Sequence, residues 1–259
     1  MDKRLDLVRS SGLKHLRRSP AHFKAWCEEP DKDSPQMALG RAFHCATLER
    51  EKFEATYAVE PDFGDCRFKE NKAKRDDWRA ENAGRTPLSF DDHRAILGMR
   101  ESVHRHPVVA RLFADIHFTE QRLEAREPRF AGLTSQVTTD LIVPSKGIIL
   151  DLKTTDDASS KNCERSVANF GYAMQAAHYI AVQELRNLAI KAFLFAFVER
   201  DPPYAVNVVM LDSDVIQWAF SERDKLLELQ ARCLAENRWP AYDEHIHTIT
   251  LPKWAREDV

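Results

Sequence analysis

The sequence predicts an α/β domain in which a mixed central sheet follows a helical N-terminal part. Three observations carry this expectation. Residues 1–113 read as a succession of capped and broken helices. Apolar, β-branched runs then arrive in two groups, separated by a strong helix pattern at 166–187, and another helix pattern closes the series at 212–236. The order is helices, three strands, helix, two strands, helix, which suits one α/β domain over 1–259, the sheet and its helices occupying about 114–259.

Taken in order, residues 8–27 look helical, with Ser10 or Ser11 as a cap and Pro20 opening a second turn. Residues 36–57 read as one long helix, 58–68 as an irregular Pro/Gly/Asp stretch, and 69–82 as a polar helix ending near Gly84. Ser89-Phe90-Asp91-Asp92 caps a helix over 91–105, which His106-Pro107 interrupts before a continuation through Phe113. Strands are expected at 117–125, 137–143 and 148–153, then at 192–198 and 204–210, with Asp201-Pro202-Pro203 turning the chain between the last two.

Composition bounds the function classes. Of 259 residues, 43% are hydrophobic and 31% charged, which fits a soluble globular chain. No apolar run is long enough for a membrane span and no basic-then-apolar start suggests a signal peptide, so the expectation is a cytoplasmic protein without membrane contact. Five cysteines (Cys27, Cys45, Cys66, Cys163, Cys233) are scattered without a CxxC pair, which points to reduced thiols and away from structural zinc. The net charge of −3 favours no nucleic acid at the level of the chain, but Lys3–Arg18 and Arg67–Arg79 are locally basic. Each is more often just a solvated helix face.

Asp140, then ten intervening residues, then Asp151-Leu152-Lys153, form the most informative spacing. The runs Val137–Val143 and Ile148–Lys153 flank Pro144-Ser145-Lys146-Gly147, so the whole reads as a β-hairpin. If Val143 pairs with Ile148, Asp140 falls opposite Asp151, and opposed side chains have Cβ atoms about 5 Å apart. Lys153 then projects from the same face as Asp151. Two carboxylates so placed repel one another unless a cation lies between, and hard oxygen ligands suit Mg²⁺ or Mn²⁺. A lysine beside them could orient or deprotonate water, or offset charge on a phosphate. A solvated hairpin with an ordinary Asp–Lys pair is the alternative, and a register slip of one would split the pair across faces.

Further residues could join this cleft. Gly40, His44 and Leu48 share a helix face, and a helical glycine beside Ala42 and Ala46 suggests a close approach. His44 could ligate a metal, donate to phosphate, or be an ordinary polar residue. Tyr172, Gln175 and Tyr179 fall on one helical stripe that could touch phosphates or stack on a base, or else be a half-buried aromatic stripe. Glu120 is a further acid that could reach the cleft. No GxGxxG, GxxxxGK[ST], HExxH or GxSxG pattern occurs, which removes the usual support for nucleotide-fold, metalloprotease and serine-hydrolase readings.

In order, Gly40-x-x-x-His44, Asp140, Asp151-x-Lys153 and Gln175-x-x-x-Tyr179 resemble the PD-(D/E)XK nuclease superfamily, within it the RecB-like group, and most nearly RecE-type exonuclease domains of the exonuclease VIII kind. Ser11–Pro20 near the start, and Asn237–Tyr242 followed by Leu251–Ala255 at the end, are similar to that group as well. The resemblance covers nearly the whole chain; the ordered set is specific, its elements singly are not. It implies an αβββαβ core, one or two Mg²⁺ or Mn²⁺ ions, and hydrolysis of DNA phosphodiesters. On this sequence it implies that Asp140, Asp151, His44 and the Leu152 carbonyl hold metal, that Lys153 orients or deprotonates water, and that Gln175 and Tyr179 position the scissile strand. It further implies an exonuclease acting 5′→3′ on linear duplex DNA in phage-type recombination, feeding a RecT-like single-strand annealing protein and assembled as a homo-oligomeric ring. An endonuclease with the same site, or a non-catalytic DNA-binding module, competes with this reading; the intact Asp-Asp-x-Lys set argues against the module. Two departures stand out. Only Cys233 follows the Gln175–Tyr179 helix, so no iron–sulfur cluster is expected, and Gln136-x-Thr138 stands where a basic residue would precede the aspartate.

Overall fold

A computed structural model describes residues 4–30, 33–243 and 245–251. Strand β1 (Leu7–Val8) leads into helices α1 (Ser10–Arg18), α2 (Pro20–Glu28), α3 (Pro35–Leu48) and α4 (Arg50–Thr56). A small excursion follows: β2 (Tyr57–Val59), α5 (Lys69–Glu81) and β3 (Thr86–Leu88), with β2 and β3 paired in parallel. Helices α6 (Phe90–Arg105) and α7 (Pro107–Phe113) precede strands β4 (Phe118–Arg126), β5 (Thr134–Val143) and β6 (Ile148–Thr155). Then come α8 (Ser160–Phe170), α9 (Tyr172–Leu185), β7 (Ala192–Glu199), β8 (Val206–Met210) and α10 (Ser213–Glu236). The mixed α/β architecture is the expected one. No described helix is long and apolar enough to cross a membrane.

The main sheet is organised around β5. One edge of β5 pairs antiparallel with β4 from Thr134 to Ile142. Its other edge is shared, parallel β1 taking Thr134 and Ser135 and antiparallel β6 taking Leu141 to Val143. Beyond β6 lie parallel β7 and antiparallel β8. Alternation sends Leu141, Val143, Leu150 and Leu152 to one side, where they pack with Ala42, Phe43 and Ala46 of α3 and Met99 of α6. Ile142, Ile149, Phe193 and Phe195 face the other side and pack with Ala176 and Ile180 of α9. A third cluster joins Leu13 and Leu16 of α1, Phe23 of α2 and Leu227 of α10.

The stretch of β5 between its two partners is served by side chains. His178 Nε2 lies 3.2 Å from the Gln136 carbonyl, and Gln183 Nε2 donates to Thr139 Oγ1 at 3.3 Å. Arg223 Nε donates to His178 Nδ1 at 3.3 Å, so the imidazole proton sits on Nε2, donated to Gln136. Burial, then the Arg223 charge, depress this imidazole to about 3. Arg223 also pairs with buried Glu127, which accepts from Ser135. These bonds fix the register of α9 against β5.

Several expected helices are divided. The predicted 8–27 helix breaks at Ser19, extended at φ −173° because Pro20 follows, and Ser19 caps α2 by accepting from His22 N at 3.3 Å; Ser10 and Ser11, expected as caps, lie inside α1, whose N-cap position is Arg9 with no side-chain cap bond. The 36–57 helix breaks at Glu49, and its last residue belongs to β2. The 166–187 helix begins earlier and divides at left-handed Gly171, φ 73°. Tyr204, at φ 56°, is a turn residue rather than the start of a strand. Pro252–Ala255 of the tail that resembles the exonuclease group lie outside the described residues.

Candidate active site

The hairpin pairs Val143 with Ile148, as its four-residue loop predicts. Gly147 sits at φ 65°, and a Cβ there would lie 2.7 Å from the Ala189 carbonyl, so the turn requires glycine. Extending the register opposes Asp140 to Asp151, yet the ladder stops at Leu141–Leu150. In its place Leu152 N donates to Asp140 Oδ2 at 2.7 Å. The opposite edge is interrupted in the same row: Thr119 and Gln121 pair with Leu141 and Thr139, while Glu120 between them adopts φ 48°. At Asp140, therefore, β5 parts from both neighbours, and three carboxylates, Glu120, Asp140 and Asp151, fall in one cross-strand row. Because the Asp140 carboxylate takes a main-chain bond, it lies between strands and is reachable from both faces.

His44 of α3 reaches it, Nδ1 standing 3.4 Å from Asp140 Oδ2. Ligand atoms of His44, Glu120 and Asp140 all lie within 4.8 Å of one another. Asp151 is 2% exposed; its Oδ1 accepts from Gln175 Nε2 at 2.6 Å, and its Oδ2 meets the Lys153 ammonium in ion-pair contact. Lys153 Nζ in turn lies 4.8 Å from the Tyr172 ring centroid.

The charges are interdependent. Burial alone would depress His44, but Asp140 outweighs it and holds the imidazole above its usual range. Burial would likewise raise Asp140, but His44 and Lys153 pull it down. Asp151 goes the other way, burial and the Asp140 charge pushing it up despite Lys153. Burial opposes the Lys153 charge, and Asp151 and Asp140 overcome that, so the lysine stays an ammonium. Burial and Asp140 raise Glu120 to about 7.

This donor set fits a hard divalent cation. It offers carboxylate oxygens and one imidazole, with carboxylates close enough to oppose each other's ionisation.

The structure brings Asp140, Asp151, Lys153, His44 and Glu120 together. Tyr172, Gln175 and Tyr179 share a stripe as their spacing predicts, but two of them turn to this cluster, Gln175 to Asp151 and Tyr172 to Lys153. Tyr179 lines a cavity of about 400 Å³ with Arg9, Ser10, Arg122 and Gln136. Arg9 belongs to the locally basic segment Lys3–Arg18, whereas Arg122, on β4, carries no such signal; nothing in sequence places the two together, since they arrive from separate elements. Gly40 is not sterically required, because a Cβ there would sit an ordinary 3.8 Å from Thr154 Oγ1.

The family model described as "PDDEXK-like domain of unknown function (DUF3799)" matches residues 9–252. A solved candidate exonuclease from Eubacterium rectale is similar over 96% of this chain and 91% of its own, at 12% identity and a TM-score of 0.59. A phage-related exonuclease from Haemophilus somnus 129PT matches 89% of this chain and 95% of its own, at 14% identity and a TM-score of 0.40. An alkaline exonuclease from Laribacter hongkongensis matches 76% and 97%, at 14% identity and a TM-score of 0.33. At such identities the likeness is one of fold, and only the first is close enough to carry weight. No curated protein matches the chain.

Proposed function

The chain belongs to the PDDEXK-like domain family DUF3799, and we propose that it is a divalent-metal-dependent deoxyribonuclease, an exonuclease acting on ends of linear duplex DNA. The observation that carries this reading is the row of Glu120, Asp140 and Asp151 with Lys153 in ion-pair contact with Asp151. The fold shared with a candidate exonuclease supports it.

His44, Glu120, Asp140, Asp151 and the Leu152 carbonyl would hold Mg²⁺ or Mn²⁺. The cation would supply Lewis acidity towards phosphate and water. The protein's own residues do the rest. Lys153, held protonated, offsets the charge that builds on the phosphate and orients the incoming water by donating to it. Gln175 fixes the Asp151 carboxylate. Tyr172 confines the Lys153 amine from its other side. Tyr179, with Arg9 and Arg122 around the adjoining cavity, would line the path of the scissile strand.

The finer reading is a 5′→3′ cytoplasmic exonuclease of phage-type recombination, a homo-oligomeric ring delivering single strands to a RecT-like annealing protein. One gel tests the class, with linear and closed circular plasmid incubated with Mg²⁺ or EDTA. Magnesium-dependent loss of the linear form alone is expected. Nicked circles would replace the reading with an endonuclease, and two untouched plasmids with a DNA-binding module.

A further inference from the structure

Two large rings stand half in water and take no part in the reaction above. Phe170, the last residue of α8, is 56% exposed, and Trp218 of α10 is 47% exposed. Each lies beneath a cation from α1. Lys14 Nζ is 5.8 Å from the Phe170 centroid, and Arg17 Cζ is 5.7 Å from that of Trp218. Three residues apart, Lys14 and Arg17 share one helix face. The Phe170 ring is also 5.6 Å from that of Tyr172, which carries the Lys153 ammonium. Cation–ring pairs thus continue from the catalytic lysine outward over α1, α8 and α10. A groove of about 780 Å³, lined by Arg17, Trp218, Val167, Met174 and Leu211, runs beside them.

Exposed rings alternating with cations match the chemistry of an unpaired nucleic-acid strand. Its bases present flat faces that stack on aromatic side chains regardless of sequence, while its phosphates meet the cations. A duplex hides those base faces in its own stack. We propose that α1, α8 and α10 carry a track for single-stranded DNA, with bases on Phe170 and Trp218 and phosphates on Lys14 and Arg17. Glu164 and Asp212 also line the groove and repel phosphates, which leaves the α1 side as their place. The proposal rests on the nuclease reading, because the track starts at Lys153.

The test is fluorescence anisotropy in EDTA, where nothing is cleaved, using labelled oligo(dT) of about 15 nucleotides and a blunt hairpin duplex. Phe170→Ala and Trp218→Ala should each weaken oligo(dT) binding at least fivefold, roughly the loss of one stacked base, and leave the hairpin affinity within twofold. Phe170→Trp should retain binding. Lys14→Ala with Arg17→Ala should reduce the salt slope for oligo(dT) by about 1.4, roughly 0.7 for each phosphate contact. Melting curves of each variant separate lost binding from lost folding, and if either ring variant unfolds, the exposed Lys14 and Arg17 pair decides. Wild-type protein that does not bind oligo(dT), or a folded Phe170→Ala/Trp218→Ala double variant that binds it normally, overturns the track. Equal losses on strand and hairpin also overturn it. Ring-dependent strand binding by a protein that cleaves nothing in Mn²⁺ would sink the nuclease reading instead and leave the track standing.

Discussion

Replacing Gln175 with alanine removes the hydrogen bond that its amide makes to Asp151 Oδ1 at 2.6 Å. The acceptor is a carboxylate 2% exposed, so water does not readily take the vacated position. A hydrogen bond to a charged group contributes about 1.5–3 kcal/mol. At about 1.4 kcal/mol per factor of ten, that is roughly ten- to a hundredfold in the affinity of any cation needing Asp151 ionised and correctly turned. The same range, about 10–100-fold, is usual for losing a group that orients a metal ligand. The assay is a calorimetric Mn²⁺ titration of the protein without DNA, beside single-turnover cleavage at saturating Mn²⁺. Gln175→Ala should bind Mn²⁺ ten- to a hundredfold more weakly and recover much of its rate when the metal is raised. The competing assignment, Gln175 on the DNA backbone, requires unchanged Mn²⁺ affinity and a raised KM for DNA. An Mn²⁺ Kd within twofold of wild type would refute the reasoning.

Asp140→Asn and Asp151→Asn should abolish cleavage and the thermal stabilisation by Mn²⁺, which in wild type reaches about 2.7 kcal/mol at a hundredfold excess over Kd; full activity in either variant would remove the metal assignment. Asp140→Asn keeps an acceptor for Leu152 N and should fold normally, whereas Asp140→Ala strands that buried N–H and should cost about 1–3 kcal/mol in a denaturant melt. Lys153→Ala should bind Mn²⁺ yet cleave a hundredfold or more slowly in a single turnover, and Lys153→Arg should not restore the rate, because a planar guanidinium does not reproduce a compact ammonium between Tyr172 and Asp151. His178, neutral in the fold down to about 3, takes its proton in the unfolded chain near 6.5, so its contribution is lost as pH falls through that window. The stability advantage of wild type over His178→Gln should therefore shrink between pH 6.5 and 5, by up to about 1.4 kcal/mol per pH unit, and parallel pH curves would contradict the buried neutral imidazole.

The hairpin register was legible because a four-residue loop leaves few ways to pair its strands, and it placed Asp140, Asp151 and Lys153 together. The parting of β5 at Asp140 was not legible. It depends on Glu120 adopting φ 48° and on a side chain taking a main-chain bond, neither of which has a signature in composition or periodicity. Helical spacing likewise told which residues share the α9 face but not what that face meets, so Gln175 was assigned to DNA although its amide rests on Asp151. The division at Gly171 and the two-residue β1 escaped for a related reason. A single left-handed residue, or two residues on a strand edge, leave no period to detect.

The double duty of Asp140 shapes how this site could decay in a lineage that abandoned catalysis. Asp151 and Lys153 are a buried ion pair, and such pairs are often replaced by apolar residues at no loss of stability. Freed from selection for cleavage, they should disappear together, because losing one strands the other's charge. Asp140 is under a second constraint, since the Leu152 amide needs an acceptor whether or not DNA is cut. Inactive descendants of this fold should therefore drift to asparagine at 140 and to apolar pairs at 151 and 153, and the substitution at 140 would mark retired nucleases that still fold.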